Sequence, residues 1–166
     1  MPIKYSAMIK KYAAYNYWAN KKLIELLATL PTEVLLQEVV SSFTSIQKTL
    51  YHIYDAEHIW YQRLIQSNDL HWPPSSKFQD TDSPLLVLKA SETLLHFVNG
   101  KDESYFQERT EYHDTKGNVY QTPNEEILHH VFNHSAFHRG QLITLLRQAG
   151  IDKLPQTDFI AYVRNT

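Results

Sequence analysis

Hydrophobic residues recur every three or four positions along four long segments of this 166-residue chain. Such spacing places apolar side chains along one face of an α-helix, the face that packs against other helices. Prolines lie outside these segments or in their first turns, where a helix tolerates them. The pattern therefore predicts four helices, from about Tyr5 to Leu30, Thr44 to Ser67, Ser83 to Asn99 and Thr122 to Gly150.

Local residue types mark the ends of these predicted helices. Thr44 with Gln47, and Thr122 with Glu125, have the spacing of a capping box at the start of a helix. Gly150 follows the last apolar residue of the fourth segment, as glycine commonly does where a helix ends. We therefore expect Thr44 and Thr122 to cap the second and fourth helices.

The connections between the predicted helices differ in length. Residues 69–82 form a long link between the second and third helices, which permits a crossover along the bundle instead of a tight turn. Before the fourth helix, residues 108–113 and 118–121 flank the turn-forming sequence Asp-Thr-Lys-Gly and predict a short β-hairpin. The prediction is an all-α fold, a four-helix bundle in one domain, residues 1–166, with a long crossover between helices 2 and 3.

Composition removes several functional classes. The chain has no cysteine, which excludes disulfides, thiolate metal sites and a cysteine nucleophile. Sixteen basic and eighteen acidic residues give a formal charge of -2, so neither nucleic acid nor an anionic membrane is an expected partner. The four glycines are too dispersed for a phosphate-binding loop. With no long apolar run for a membrane span or a secretory signal, we expect a cytoplasmic protein.

Two histidines occupy core positions of the fourth predicted helix. The apolar series continues through His134 and His138, whose spacing of four residues brings both imidazoles to the same side. His130 extends the series by another four residues, but it lies about 12 Å along the helix axis from His138. One ion therefore binds only one adjacent pair, and His134 with His138 follows the apolar series better.

A third histidine is expected to face the same core. His52 lies beside the apolar positions Ile46, Leu50 and Ile53 of the second predicted helix. Three neutral imidazoles around a divalent cation leave one or more coordination positions for water or substrate, as catalytic sites do. The alternative is three separate core histidines, each of which would need its own buried hydrogen-bond partner. The sequence favours a metal site made of His52, His134 and His138.

Other arrangements of reactive residues are incomplete. Glu126 and His129 form one Glu-x-x-His step, but a di-iron bundle needs a second. The His-Glu-x-x-His and Gly-x-Ser-x-Gly signatures of zinc proteases and serine hydrolases are absent. Arg139, next to His138, is expected either to hold an anionic group of a substrate or to form an ion pair at the surface. No catalytic residue beyond the metal ligands is assigned.

Several segments of the chain resemble one known family. The segment from Leu128 to Gln141, which reads LHHVFNHSAFHRGQ, resembles the signature helix of the DinB-like (DinB/YfiT) family. Shorter segments are similar to the same family, at residues 15–20, 42–46, 50–53, 57–60 and 158–162. The resemblance implies a bundle of up-down-down-up topology, frequently dimeric, that holds a divalent metal with three histidines. At the matching positions of this sequence those ligands are His52, His134 and His138.

The resemblance indicates the reaction less clearly than the fold, because related bundles include both thiol-dependent S-transferases and isomerases. Since the chain has no cysteine, an S-transferase would take a low-molecular-weight thiol as a cosubstrate. A metal-dependent hydrolase and a non-enzymatic metal-binding or interaction bundle are the alternatives. Nitrogen ligands suit zinc, nickel, iron and copper alike, and availability decides among them; we expect zinc or nickel, with iron as a further candidate. We expect a small-molecule substrate and a homodimeric assembly.

Overall fold

Four long helices form the frame of the computed structural model, which describes residues 5–165. Three short helices and one pair of strands connect and flank them. In chain order the elements are α1 (Tyr5–Leu27), α2 (Thr32–Leu36), α3 (Ile46–Leu64), α4 (Leu88–Asn99), α5 (Glu103–Gln107), β1 (Arg109–His113), β2 (Val119–Pro123), α6 (Asn124–Gln148) and α7 (Phe159–Asn165). Residues 1–4 and 166 of the predicted domain lie outside the described residues. Among the described residues, no helix has the length and apolar character that crossing a membrane requires.

The apolar core is divided into two clusters, one at each end of the bundle. One cluster joins the last turns of α1 and α6 to the first turns of α3 and α4, through Leu27, Leu146, Ile46 and Ala90. The other joins the first turns of α1 and α6 to the last turns of α3 and α4, through Ile9, Ile127, Leu64 and Val98. Helices α1 and α6 therefore run in one direction, and α3 and α4 run in the other. This arrangement is the expected up-down-down-up bundle.

A long crossover connects the two parallel helices α3 and α4. It spans residues 65–87 and contains two short 3₁₀ turns, Pro74–Lys77 and Pro84–Val87. The buried Asp55 of α3 fixes its middle, because the carboxylate accepts hydrogen bonds from Ser75 N at 2.6 Å and Ser75 Oγ at 2.7 Å. The crossover is therefore held against α3, which itself packs against α4 and α6.

The starts of two long helices differ from their sequence-based predictions. Ser45, not Thr44, caps α3, because its hydroxyl accepts a hydrogen bond from the backbone N–H three residues later at 3.1 Å. Helix α6 begins at Asn124, and Thr122 is not its cap because Thr122 belongs to β2. The predicted end of α6 is confirmed, since Gly150 has a φ of 81°, the left-handed conformation that ends many helices.

The predicted hairpin before α6 is confirmed, and it lies against the last turns of α3. Strands β1 and β2 pair antiparallel over their full lengths. Arg63 Nη2 donates a hydrogen bond to His113 O at 2.9 Å, and Gln66 Nε2 donates one to Glu111 O at 3.0 Å. The hairpin and the crossover are therefore both tied to α3, the helix that carries His52.

Candidate metal centre

Three histidine side chains from two helices converge at the seam between α3 and α6. His52 projects from α3, and His134 and His138 project from successive turns of α6. His134 Nε2 lies 3.0 Å from His52 Nε2 and 3.1 Å from His138 Nε2. The three candidate ligand atoms all lie within 4.8 Å of one another. The structure thus brings together the three residues that the sequence spacing selected.

Two of the three distances between these nitrogens match a shared divalent ion. An ion about 2.1 Å from each of two imidazole nitrogens, with a bond angle between right and tetrahedral, holds them about 3.0 to 3.4 Å apart. The separations of 3.0 and 3.1 Å are at the short end of that range. The group could therefore hold a metal ion, with His52 and His138 moving towards each other where their separation, at most 4.8 Å, exceeds that range.

The protonation of the rings also suits a cation. His138 Nδ1 lies 2.7 Å from Gln141 Oε1, and because an amide oxygen only accepts, Nδ1 carries the proton and Nε2 a lone pair. His134 Nε2 contacts two neighbouring nitrogens but has at most one proton to donate. Neutral rings can therefore form a hydrogen bond in only one of the two contacts of His134 Nε2. In the other contact, two nitrogens face each other with no proton between them. A single cation could bind all three nitrogens.

Burial keeps the three rings neutral, which is the form that binds metal. Burial, with a smaller contribution from His138, lowers the pKa of His52 to about 4. Burial, followed by the charges of His138, His52 and His130, lowers the pKa of His134 to about 4. Burial also lowers the pKa of His138, although the hydrogen bond with Gln141 opposes this shift. At neutral pH a cation therefore does not need to displace protons from these rings.

His130, one turn before His134, lies next to this group but outside it. Its ring packs edge-on against Trp60, with centroids 5.3 Å apart, and its centroid lies 5.9 Å from that of His134. Among the described residues, the group within ligand distance contains His134 and His138 but not His130. The geometry favours the same histidine pair as the apolar series in the sequence.

A cavity of about 340 Å³ opens beside two of the three rings. Its walls come from α3, α6, the crossover and the hairpin turn, and they include His52, His134, Trp60, Arg63 and Trp72. Phe43 lies outside this cavity and stacks on His52, with ring centroids 4.3 Å apart. A larger cavity of about 440 Å³, between the first turns of α1 and α6, has none of the three histidines in its walls. Of these two cavities, the smaller one is therefore placed to hold a substrate next to the histidines, and its size suits a small molecule.

A layer of buried polar side chains lies at the centre of the bundle, between the two apolar clusters. It has members on all four long helices: Asn16, Asn20, Glu57, Ser91, Ser135 and Arg139. Glu57 Oε1 accepts hydrogen bonds from the side-chain amides of Asn16 and Asn20, at 2.7 and 2.8 Å. Arg139 Nη1 donates to the amide oxygens of the same two asparagines, at 2.7 and 2.8 Å. The layer thus connects a buried anion to a buried cation.

Arg139 has neither of the roles expected from the sequence. It is 3% exposed, which excludes a surface ion pair, and it does not line the cavity beside the histidines. Ser135 and Arg139 directly follow the two candidate ligand histidines of α6, so these turns present histidine to the seam and a polar side chain to the bundle centre. The polar layer was not predicted from the sequence. The signal that could have indicated it is the pair Asn16 and Asn20, which lie four residues apart in the first apolar segment.

Comparisons with known proteins give one consistent family. A sequence model described as the DinB family matches residues 2–166. Protein DinB of Bacillus subtilis strain 168 is 30% identical over 161 residues, which cover 92% of this chain and 92% of that protein. The crystal structure of the DinB-like protein YjoA from Bacillus subtilis matches with a TM-score of 0.66 at 14% identity, over 89% of this chain and 97% of that one. A DinB-like protein from Bacillus cereus ATCC 10987 matches with a TM-score of 0.60 at 20% identity, over 84% and 90%. The two crystal structures therefore share the fold of this chain.

Proposed function

The chain belongs to the DinB family, and we propose that it is a metal-dependent S-transferase that joins a low-molecular-weight thiol to a small electrophile. The observation that carries the proposal is the convergence of three imidazole nitrogens beside a cavity of about 340 Å³. Three protein ligands leave at least one coordination position for water or substrate. A closed structural site needs a fourth ligand, and among the described residues no further His, Cys, Asp or Glu joins the group.

The chain's own residues determine which ion fits and how its ligands are oriented. His52, His134 and His138 would hold zinc or nickel, with iron as the alternative, because imidazole nitrogen suits all three ions. When bound, such an ion supplies a Lewis acid that lowers the pKa of a thiol or of water. Gln141 orients the His138 ring and keeps its Nε2 free of a proton.

The proposed reaction forms one bond and breaks one bond at carbon. The thiol sulfur bonds to an electrophilic carbon of the second substrate, the leaving group departs with its bonding electron pair, and the thiol proton passes to solvent. Because the chain has no cysteine, the sulfur belongs to a cosubstrate. Trp60 and Trp72 offer apolar walls for the body of the electrophile. In the alternative reaction, hydrolysis, water takes the place of the thiol.

A conjugation assay on protein of measured metal content tests this proposal. Low-molecular-weight thiols such as cysteine and glutathione are each combined with an activated aryl chloride, and the thioether product is measured. We expect the protein to accelerate the reaction of at least one thiol above its uncatalysed rate, and His134→Ala to lose most of that acceleration. Turnover that needs no thiol would support the hydrolase alternative. Metal-loaded protein that accelerates neither reaction would support a non-enzymatic role.

A further inference from the structure

The cavity beside the histidines has apolar walls at two levels. Ile59 and Trp60 of α3 line it close to the bundle, and Leu70 and Trp72 of the crossover line it towards solvent. Leu70 is 49% exposed and Trp72 is 45% exposed, although both flank a space in which a ligand would cover them. These walls suit a planar or branched apolar group of about the size of a phenyl ring or larger.

One wall of the same cavity carries a cation without an ion-pair partner. Arg63 is half-buried, and its guanidinium lies over the ring of Trp60 at 4.5 Å and over that of Tyr112 at 5.2 Å. Its Nη2 donates to His113 O, while its Nε is buried with no hydrogen-bond partner among the described residues. The ion pairs that the described residues form do not include Arg63. Arginine stays protonated in proteins, so this wall carries a positive charge without a paired carboxylate.

The acidic residue in the walls of this cavity does not neutralise Arg63 by direct contact. Asp114 belongs to the hairpin turn, where its Oδ1 accepts from Lys116 N at 2.8 Å and from Asn118 N at 2.9 Å. Its Oδ2 accepts from Asn118 Nδ2 at 2.8 Å. The carboxylate holds the turn and forms no ion pair with Arg63, although its charge acts on the guanidinium, which can therefore still pair with an anion from outside the chain.

The stacking of Arg63 also fixes its position before a ligand arrives. Two aromatic rings and the bond to His113 O hold the guanidinium, so little side-chain entropy is lost when it binds an anion. The planar guanidinium matches the two oxygens of a carboxylate.

We propose that this cavity binds a carboxylate-bearing substrate with an apolar or aromatic body, whose carboxylate pairs with Arg63 while its reactive end faces His52 and His134. The role of the bound molecule as a substrate rests on the proposed function, whereas its binding to the cavity does not. The apolar body lies against Trp60 and Trp72. The second substrate of the S-transfer is therefore an organic acid.

Binding of a matched acid and alcohol tests the inference without any turnover. The probes are 3-phenylpropanoate and the neutral 3-phenylpropanol, and the readout is tryptophan fluorescence, because two of the three tryptophans of the chain line the cavity. We expect the protein as purified to bind the acid about tenfold or more tightly than the alcohol. The preference should persist after chelation of the metal, because it originates at Arg63.

Variants separate the charge of Arg63 from its support of the hairpin. Arg63→Gln should remove the preference for the acid and leave binding of the alcohol unchanged, whereas Arg63→Lys should keep part of it. Gln66→Ala is the matched control, because it removes the other side-chain hydrogen bond to the backbone of β1, which comes from the start of the crossover, without changing charge. Its preference for the acid should equal that of the wild type.

Equal affinity of the wild-type protein for acid and alcohol would overturn the inference, even if no variant folds. Loss of the preference in Gln66→Ala as large as in Arg63→Gln would overturn it too, because hairpin support would then explain both. Either result leaves the proposed function intact if the protein binds metal and conjugates thiols. A protein without metal or transferase activity that still shows the Arg63-dependent preference would reject the proposed function alone.

Discussion

Glu57 and Arg139 are joined through Asn16 and Asn20, and they are not among the direct ion pairs that the described residues form. Each asparagine donates through Nδ2 to the carboxylate and accepts through Oδ1 from the guanidinium. Two buried charges thereby share two amide dipoles, which gives hydrogen-bond partners to Glu57 Oε1 and Arg139 Nη1, atoms that would otherwise be costly to bury. Because Arg139 follows His138 in α6, this layer also fixes the rotation of α6 that places the histidines at the seam.

Replacing the central carboxylate should destabilise the fold strongly. Glu57→Gln removes the only anion of the layer, leaves Arg139 buried without a counter-charge and places amide protons among groups that already donate. We expect the free energy of unfolding to fall by about 3 kcal/mol or more, measured by urea denaturation. The control is Glu25→Gln, which removes the exposed pair with Lys21 and should cost less than about 0.5 kcal/mol. Similar small losses in both variants would show that the layer contributes no net stability.

The sequence predicts features that depend on one helix or one turn. The spacing of His134 and His138 needs only a helix, and the hairpin follows from a local turn sequence. The role of Arg139 was not predictable in this way, because helical periodicity does not distinguish two neighbouring faces until the partner helices are known. Thr122 has the local spacing of a helix cap, yet pairing with the first strand takes it into β2.

The cavity also could not be predicted from the sequence, for a similar reason. Its walls combine Arg63 of α3, Trp72 of the crossover and Asp114 of the hairpin turn, which lie far apart in the chain. Hydrogen bonds and ring contacts that tie the crossover and the hairpin to α3 bring these residues together.

Removing the hydrogen-bond acceptor behind His138 should weaken metal binding. Gln141 Oε1 accepts from His138 Nδ1, which fixes the ring and its tautomer. We expect Gln141→Ala to lower metal affinity about tenfold or more, measured by competition with a chelator of known affinity. Gln141→Glu keeps an acceptor and should retain or raise the affinity, and Gln148→Ala, at an exposed position of the same helix, should leave it unchanged. Equal affinities across the series would remove Gln141 from the site.

Mild acid should destabilise the metal-free protein. His52 and His134 have pKa values of about 4 in the folded protein, against about 6.5 in an unfolded chain. Between these values the unfolded chain binds more protons, so the free energy of unfolding falls as the pH drops from about 6.5 towards 4. Urea denaturation of chelated protein across this window measures the slope. The double variant His52→Gln with His134→Gln should show a shallower slope, and an unchanged slope would reject this explanation.

Chelation should leave the protein folded. Both apolar clusters are built without the three histidines, so the metal is not needed to form the core. We expect the metal-free protein to keep its helical circular dichroism and a cooperative melt, at a lower Tm because the ion binds only the native state. A chelated protein without a cooperative transition would identify the histidines as a structural clamp and remove the main support for an enzyme.

The metal content of single-histidine variants decides whether the three-histidine centre exists. Each variant is purified without added metal, and its ions per chain are measured by elemental analysis beside the wild type. We expect about one ion per chain in the wild type and a loss of most of it in His52→Ala, His134→Ala and His138→Ala. His130→Ala and His58→Ala, which change an exposed and a half-buried histidine outside the group, should keep the wild-type content. Full metal content in any of the first three variants, or an equal loss in His130→Ala, would contradict the site described above.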